Sequence, residues 1–260
     1  KISRTDRFSS NRKPSILPKH IFITASAIPL FKTQHESIAV FIVVCIYALS
    51  PFWVLVSNFI NVPIEKGVNA HYTHDAKRRL EACPDLKIIG ITGSYGKTSV
   101  KYYLNTLLRA KYNVLMTPES YNTPMGVVKT IRSSLRATHE IFICEMGAKW
   151  VGDIKELCDI VHPRHGVITS IGPQHLESFK TLDAVKNTKF ELADALPENG
   201  MLFLNNDDEN IRDHGSKRPF VSYGITNKSD YTASDISVSE RGTTFKVTGP
   251  NGESENFSTR

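Results

Sequence analysis

The chain has 260 residues, of which 40% are hydrophobic and 22% charged, and its formal net charge is +6. This composition excludes a disordered tail and suffices for one large or two small folded units with a core. The excess positive charge lies in residues 1–36, which hold seven Lys or Arg, so that 25 basic and 24 acidic residues follow. The basic character therefore belongs to an N-terminal arm, and the rest of the chain has no electrostatic signature of a nucleic-acid partner.

The first predicted element is residues 37–62, a stretch of 26 residues with no charge and 20 apolar side chains. A helix needs about 20 such residues to cross a bilayer, so this segment is predicted to be a transmembrane helix, kinked at Pro51. A buried core helix is the alternative, although core helices seldom run so long without a polar face. A cleaved signal peptide fits less well because the apolar run is too long and no small-residue cleavage site follows.

The cysteines offer no framework for a disulfide fold or a zinc site. The four residues Cys45, Cys83, Cys144 and Cys158 form no C-x-x-C pair and lie in apolar or helical segments. Such usage is consistent with a reducing compartment.

After a linker or helix over residues 63–85, short apolar runs alternate with amphipathic segments. Predicted strands cover residues 87–92, 114–116, 141–146, 166–170 and 201–204, and predicted helices cover 98–112, 126–135, 152–160 and 182–196. On the first of these helices Val100, Leu104, Leu107 and Leu108 fall at helical spacing. This order predicts a doubly wound α/β domain with a parallel sheet over residues 86–260, which ends in a small β-rich appendage of two or three strands from about residue 220.

The segment GITGSYGKTSV, residues 90–100, joins the first predicted strand to the first predicted helix. The usual phosphate loop, G-x-x-x-x-G-K-[ST], has a glycine where this chain has Ile91. Even so, the two glycines allow a tight turn that aims N–H groups at an anion, Lys97 can reach the outer phosphates, and the Thr98 hydroxyl can bind Mg²⁺. A glycine turn beside a solvated lysine is the alternative. The setting favours a nucleotide site formed by Gly93, Ser94, Tyr95, Gly96, Lys97, Thr98 and Ser99.

Four residues outside the loop are further candidates, although their types alone are less specific. Glu145 ends a buried strand beside the loop strand, where the carboxyl ends of a parallel sheet meet the ligand crevice. A carboxylate there suits a metal ligand, and a helix cap is the alternative. From the residues alone, Asn122 is typical of a turn, His175 of a loop, and Lys189 of the solvent-facing side of a helix.

Five segments in order across residues 86–250 resemble the central domain of the Mur ligase family. They are GSYGKTS, TPESYNTPMGV, FICEMGAKWVGDI, GVITSIGPQHLESFKTLDAVKNTKFEL and LPENGMLFLNNDD. The most similar subgroup adds D-alanyl-D-alanine to UDP-N-acetylmuramoyl-tripeptide in peptidoglycan precursor synthesis. The resemblance implies an ATP- and Mg²⁺-dependent ligase, in which ATP phosphorylates a substrate carboxylate to an acyl phosphate and the incoming amine then displaces phosphate.

The resemblance also implies roles for single residues. Asn122 corresponds to an asparagine near the phosphates, His175 to a ligand of a second metal ion, and Lys189 to a carbamylated lysine whose carbamate helps to hold Mg²⁺. Lys186, three residues earlier, is the competing candidate for carbamylation. The expected catalytic residues are thus Lys97, His175 and Lys189, and the expected metal ligands are Thr98, Glu145, His175 and Lys189.

Two departures from the family pattern concern the flanking regions. A basic arm and an apolar segment stand where the family has its UDP-sugar domain, and the C-terminal domain that brings the amine would lie beyond Arg260. We therefore expect the chain as given to bind nucleotide weakly and not to turn over.

The expected location is the cytoplasmic face of a bacterial cell membrane, with the topology left open. The basic arm and a nucleotide-using domain are both expected in the cytoplasm. Both can be there only if the chain crosses the membrane twice, with residues 21–31 contributing to a short hairpin. Two alternative functions also stay open: a cyanophycin-type ligase, and a membrane-tethered, non-catalytic nucleotide-binding scaffold of wall assembly.

Overall fold

The computed structural model describes residues 36–259, so the basic arm and the apolar residues 21–31 lie outside the described part of the chain. The helices are α1 (Glu36–Ala48), α2 (Ser50–Glu81), α3 (Lys97–Arg109), α4 (Pro124–Ser134), α5 (Asp153–Val161), α6 (Leu176–Phe179), α7 (Leu182–Ala195) and α8 (Glu209–His214). The strands are β1 (Lys87–Thr92), β2 (Val114–Met116), β3 (Ile141–Glu145), β4 (His165–Ile168), β5 (Leu202–Asn205), β6 (Val221–Gly224), β7 (Tyr231–Ser239), β8 (Gly242–Thr248) and β9 (Ser254–Thr259). The chain divides into two units between Asn69 and Ala70, within α2.

The first unit contains α1 and the beginning of α2, where the sequence predicted one kinked helix. The chain forms two helices instead, and the second begins at Ser50. Pro51 thus lies in the first turn of α2, where its missing N–H group costs no hydrogen bond. Within residues 36–259 no single helix is both long and apolar enough to span a membrane. The pair Val40–Ala48 and Ser50–Glu81 meets the same criteria together, by length and composition, with a bend of 49° at the break.

The second unit is a mixed α/β domain built on one nine-stranded sheet with the strand order β2-β3-β1-β4-β5-β6-β7-β8-β9. Every pair from β2 to β7 along this order is parallel. The predicted strands in residues 87–204 form β1 to β5 of this parallel part, which confirms the predicted α/β class with a mostly parallel sheet. Apolar runs such as IFIC in β3 are buried on both faces, as is typical of parallel strands.

Helices cover both faces of the sheet because successive side chains of its strands point to opposite sides. Phe142 and Cys144 of β3 lie in the larger core with residues of α4, α5 and α7. Ile141 and Ile143 lie in a smaller core, on which α3 packs through Leu104. The domain is therefore wound on both faces.

The predicted β-rich appendage is instead the continuation of the same sheet. β6 pairs with β5, and β7 pairs with β6, so the sheet has no gap between its parallel and later strands. β7, β8 and β9 then form an antiparallel meander with their own register. Sequence patterns predict single strands, but they do not say with which strand each one pairs. The pairing of β6 with β5 and of β7 with β6 therefore could not be predicted.

The sheet order places the functional candidates. β1 lies between β3 and β4, with Ile91 beside Glu145 on one side and beside Val167 on the other. The chain leaves β1 toward one edge of the sheet, through β2 and β3, and later returns to the other side through β4. Ligands of open parallel sheets bind at such a reversal, outside the carboxyl ends of the strands.

Candidate functional site

The loop between β1 and α3 has the backbone of an anion site. Gly96 precedes α3 with φ of 80°, in the left-handed region that favours glycine, and no side chain caps the helix there. The first N–H groups of a helix have no partner within the helix, and its dipole favours negative charge at this end. Gly93 has φ of 150°, and a Cβ atom there would lie 2.1 Å from the Thr169 hydroxyl oxygen. The loop therefore requires glycine at both positions.

Hydrogen bonds fix this loop to the segment that follows β4. The Ser94 N–H donates to the Ser170 carbonyl at 2.7 Å, and the Ser94 hydroxyl donates to the Gly172 carbonyl at 3.1 Å. The Thr169 hydroxyl donates to the Tyr95 carbonyl at 2.6 Å. Ser94 is buried by these contacts, whereas the Tyr95 ring is exposed. The loop is thus held in shape before any ligand binds.

Lys97 is folded back onto its own loop. Its ammonium group donates to the carbonyl oxygens of Gly93, at 2.6 Å, and Ser94, at 3.1 Å. Burial lowers the pKa of Lys97, and the negative charge of Glu145 opposes that shift. The ammonium therefore lies among the loop atoms that would surround a phosphate, within the electrostatic reach of Glu145.

Thr98 and Glu145 meet across the crevice between α3 and β3. The Thr98 hydroxyl lies 3.3 and 3.2 Å from the two carboxylate oxygens of Glu145, and the Asn122 amide donates to one of them at 3.2 Å. Thr98 is exposed, whereas the Glu145 side chain is 1% exposed. Mg²⁺ prefers hard oxygen ligands and typically takes one or two from a protein together with phosphate oxygens. A hydroxyl and a carboxylate in contact at the mouth of an anion loop fit that ion.

A second buried lysine belongs to this cluster, and sequence reasoning missed it. Lys101 of α3 is completely buried, and its ammonium lies 2.9 Å from a carboxylate oxygen of Glu145. It also donates to the main-chain carbonyl of Glu119. A detectable signal exists in the sequence, since Lys101, Leu104, Asn105 and Leu108 follow the i, i+3, i+4, i+7 spacing of a buried helical face.

The predicted solvent-facing alternative for Lys189 is wrong, because its side chain is 1% exposed in α7. Burial, together with the positive charge of Lys97, lowers the pKa of Lys189 to about 8. The Lys189 amine is thus close enough to the phosphate loop for the charge of Lys97 to affect its pKa. Lys186, one turn earlier, is only half-buried.

His175 and Ser99 are less closely tied to this cluster. His175 precedes the short helix α6 with φ of 54°, in the left-handed region, and is exposed. Among the described residues no hydrogen bond joins its ring to Glu145 or Lys189, and no group of three or more His, Cys, Asp or Glu side chains could hold a metal ion. Ser99 is exposed in the first turn of α3. The structure therefore brings together Lys97, Thr98, Asn122 and Glu145, with His175 apart.

Comparison with known proteins gives a family match over most of the chain. The family model of the Mur ligase middle domain matches residues 91–260. The UDP-N-acetylmuramoyl-tripeptide--D-alanyl-D-alanine ligase of Bacillus subtilis is 32% identical over 163 residues, which are 63% of this chain and 35% of that protein. The ligase of the same name from Escherichia coli is 31% identical over 172 residues, 64% of this chain and 37% of that protein. The chain thus spans little more than a third of these relatives.

Solved structures show the same similarity. The crystal structure of MurF ligase from Thermotoga maritima in complex with ADP aligns with a TM-score of 0.67 and 28% sequence identity. The alignment covers 73% of this chain and 44% of that one. The residues that the family model matches, 91–260, include the phosphate loop and strands β2 to β9.

Proposed function

The chain belongs to the Mur ligase family, and from this premise we propose that it is the ATP-binding part of a ligase that joins D-alanyl-D-alanine to UDP-N-acetylmuramoyl-tripeptide. The relatives named for this reaction, each at least 31% identical, support the choice of substrates. The observation that carries the proposal is the contact of the Thr98 hydroxyl with the Glu145 carboxylate beside the open N-terminus of α3. That arrangement supports a metal-binding pair next to a phosphate site.

Residues 93–99 bind the phosphates of ATP in this proposal. The N–H groups at the start of α3 donate to phosphate oxygens, and the ammonium of Lys97 leaves the carbonyl oxygens of Gly93 and Ser94 to contact the outer phosphates. Asn122, now hydrogen-bonded to Glu145, lies near enough to the same groups to orient them. The ADP bound to the Thermotoga maritima relative supports a nucleotide at this domain.

Thr98 and Glu145 would hold Mg²⁺ through one hydroxyl and one carboxylate oxygen. The chemistry that Mg²⁺ supplies in such a site is neutralisation of the charge on the transferring phosphate. The residues of the chain do the remaining work: the loop fixes the phosphate chain, and Lys97 balances negative charge as the terminal phosphate moves.

The reaction has two steps whose atoms balance. A carboxylate oxygen of the tripeptide substrate attacks the terminal phosphorus of ATP, which forms an acyl phosphate and releases ADP. The amine of D-alanyl-D-alanine then attacks the acyl carbon, inorganic phosphate leaves, and the nitrogen loses a proton as the amide forms. Most of the rate enhancement in such a phosphoryl transfer comes from positioning and electrostatic stabilisation.

We also propose that Lys189 is carbamylated and that its carbamate helps to hold Mg²⁺ near the acceptor carboxylate. The burial of this amine and its position near Lys97 support the choice of Lys189 over the half-buried Lys186. Carbamylation of the ammonium group consumes CO₂ and releases two protons, so that an anion replaces a buried cation. His175 is proposed as a ligand of a second metal ion on family resemblance alone, since the described contacts do not join it to the cluster.

A further part of the proposal concerns the membrane. Large apolar side chains along α1 and the start of α2 are exposed, among them Phe41 at 68%, Leu55 at 67% and Phe59 at 83%. Exposed apolar surface of this extent is typical of a membrane or protein contact. We place residues 37–62 in the membrane and the α/β domain at its cytoplasmic face.

Phosphate release by the full-length protein tests the proposed function. With ATP, Mg²⁺ and UDP-N-acetylmuramoyl-tripeptide, release is expected to depend on D-alanyl-D-alanine and to be lost in Lys97→Met. L-alanyl-L-alanine serves as the matched control for the amine. Release with other amines only would favour a different ligase of the family, and no release with any amine would favour a nucleotide-binding scaffold.

A further inference from the structure

Lys101 occupies an unusual position for a lysine, because it is among the largest fully buried side chains of the described residues and carries a charge. Its ammonium contacts one carboxylate oxygen of Glu145 at 2.9 Å. The Asn122 amide donates to the other oxygen of this carboxylate, and the Thr98 hydroxyl lies 3.3 and 3.2 Å from the two oxygens. Lys101 therefore balances the charge of the carboxylate and holds one of its two oxygens in place.

Lys101 also joins two loops of the site. The carbonyl that it binds belongs to Glu119, which has φ of 43° and lies in the loop that leads to Asn122. A non-glycine residue in the left-handed region is strained unless its surroundings hold it. The hydrogen bond from Lys101 supplies such a restraint, so one ammonium group connects α3, the end of β3 and the loop over residues 117–122.

The charges around the crevice are mostly positive before a ligand binds. Glu145 supplies one negative charge, while Lys97 and Lys101 supply positive charge near it. A divalent cation alone meets a carboxylate that is already neutralised. A cation that arrives with a polyphosphate brings its own negative charge, which the lysines attract.

We propose that Lys101 is a positioning residue that neutralises Glu145 and fixes its carboxylate beside Thr98, so that the site takes up the metal ion with the nucleotide and not the metal ion alone. This inference rests on the proposed function, since it assumes that Thr98 and Glu145 hold the metal ion of the nucleotide. It adds a role for a residue that itself contacts neither phosphate nor metal.

Binding of Mn²⁺ without nucleotide, measured by electron paramagnetic resonance on the chain, tests the inference. Lys101→Met is expected to bind Mn²⁺ about tenfold more tightly than the unchanged chain, because a unit charge one carboxylate away from a divalent ion weakens binding by about that factor even at the dielectric constant of water. Lys101→Arg, which keeps the charge, is expected to stay near the unchanged value. Lys111→Met removes an exposed lysine just beyond α3 and is the matched control.

The gain in Mn²⁺ affinity must also depend on the carboxylate. It is expected to disappear in the double variant Lys101→Met with Glu145→Gln. A folded Lys101→Met chain that binds Mn²⁺ no more tightly than the unchanged chain would overturn the inference. Because the buried carboxylate could prevent folding when its partner is lost, Lys101→Gln is a second neutral variant, with the same expected gain. If neither neutral variant folds, Lys101 serves folding, and the inference is overturned as well.

The proposed function is measured separately in the same preparation. Binding of ATP with Mg²⁺ to the unchanged chain supports that function whatever Mn²⁺ does in the variants. Its absence would refute the function, whereas its presence together with unaltered Mn²⁺ affinity in Lys101→Met would refute only the role of Lys101.

Discussion

Lys189→Met is expected to stabilise the α/β domain at neutral pH, although the proposed function requires the lysine. Burial and the charge of Lys97 lower the pKa of Lys189 from 10.5 to about 8. This shift of the pKa corresponds to about 3 kcal/mol, by which the folded state at pH 7 is less stable than with a neutral side chain. At roughly 2–4 °C per kcal/mol for a domain of this size, the melting temperature should rise by about 6–12 °C.

The pH dependence of the stability difference between the two chains tests the sign of this effect separately. Because the folded pKa of Lys189 is below the unfolded one, the unfolded state binds more protons between about pH 8 and pH 10.5. The stability of the unchanged chain relative to Lys189→Met should therefore be lowest below pH 8 and should recover as the pH rises through this window.

The assay is urea unfolding of both chains from pH 7 to 10.5 in buffer free of CO₂, which prevents carbamylation. Lys186→Met, which removes a half-buried lysine on the same helix, is the control and should change the unfolding free energy by less than about 0.5 kcal/mol. A Lys189→Met chain that is no more stable at pH 7, or an advantage that does not change with pH, would refute the reasoning.

Three further substitutions test other parts of the account. Gly93→Ala places a Cβ atom 2.1 Å from the Thr169 hydroxyl, so the affinity for ATP, measured by calorimetry, should fall by at least about tenfold. Glu145→Gln leaves the ammonium of Lys101 buried without its partner, and urea unfolding should show a loss of about 3 kcal/mol. Asp207→Ala removes the carboxylate that accepts backbone N–H groups of residues 225–227, which should cost about 1–2 kcal/mol at pH 7. Burial raises the pKa of Asp207, but these hydrogen bonds outweigh burial and hold the pKa below its usual value, so this loss should diminish as acid protonates the carboxylate of the unchanged chain.

Strands β1 to β5 could be predicted because they are short, nearly continuous apolar runs separated by amphipathic helices. Predicted residues 114–116 agree with β2, and 141–146 with β3 to within one residue. The short helices α6 and α8 and the strand β6 were missed, since four to six residues do not establish a period. The place of β7 to β9 in the same sheet depends on pairing partners that local patterns do not contain.

The candidate site could be predicted in part. The order strand, glycine loop, helix indicated the phosphate site, but the burial of Lys101 and Lys189 could not be read from residue type, because lysine is rarely buried. On α3, periodicity also assigned Leu107 to the core, whereas it is 68% exposed and Asn105 is buried. Which face of a helix is buried depends on the surface against which the helix packs. The surface under α3 carries Glu145, with which Lys101 forms its ion pair.

The central claim is that residues 93–99 and Glu145 form a site for ATP with Mg²⁺, and calorimetric titration of the chain with ATP tests it most directly. The account predicts saturable binding in the presence of Mg²⁺, weaker binding when the metal is removed by a chelator, and loss of binding in Lys97→Met. No saturable binding at millimolar ATP, or equal binding by the unchanged chain and Lys97→Met, would contradict it.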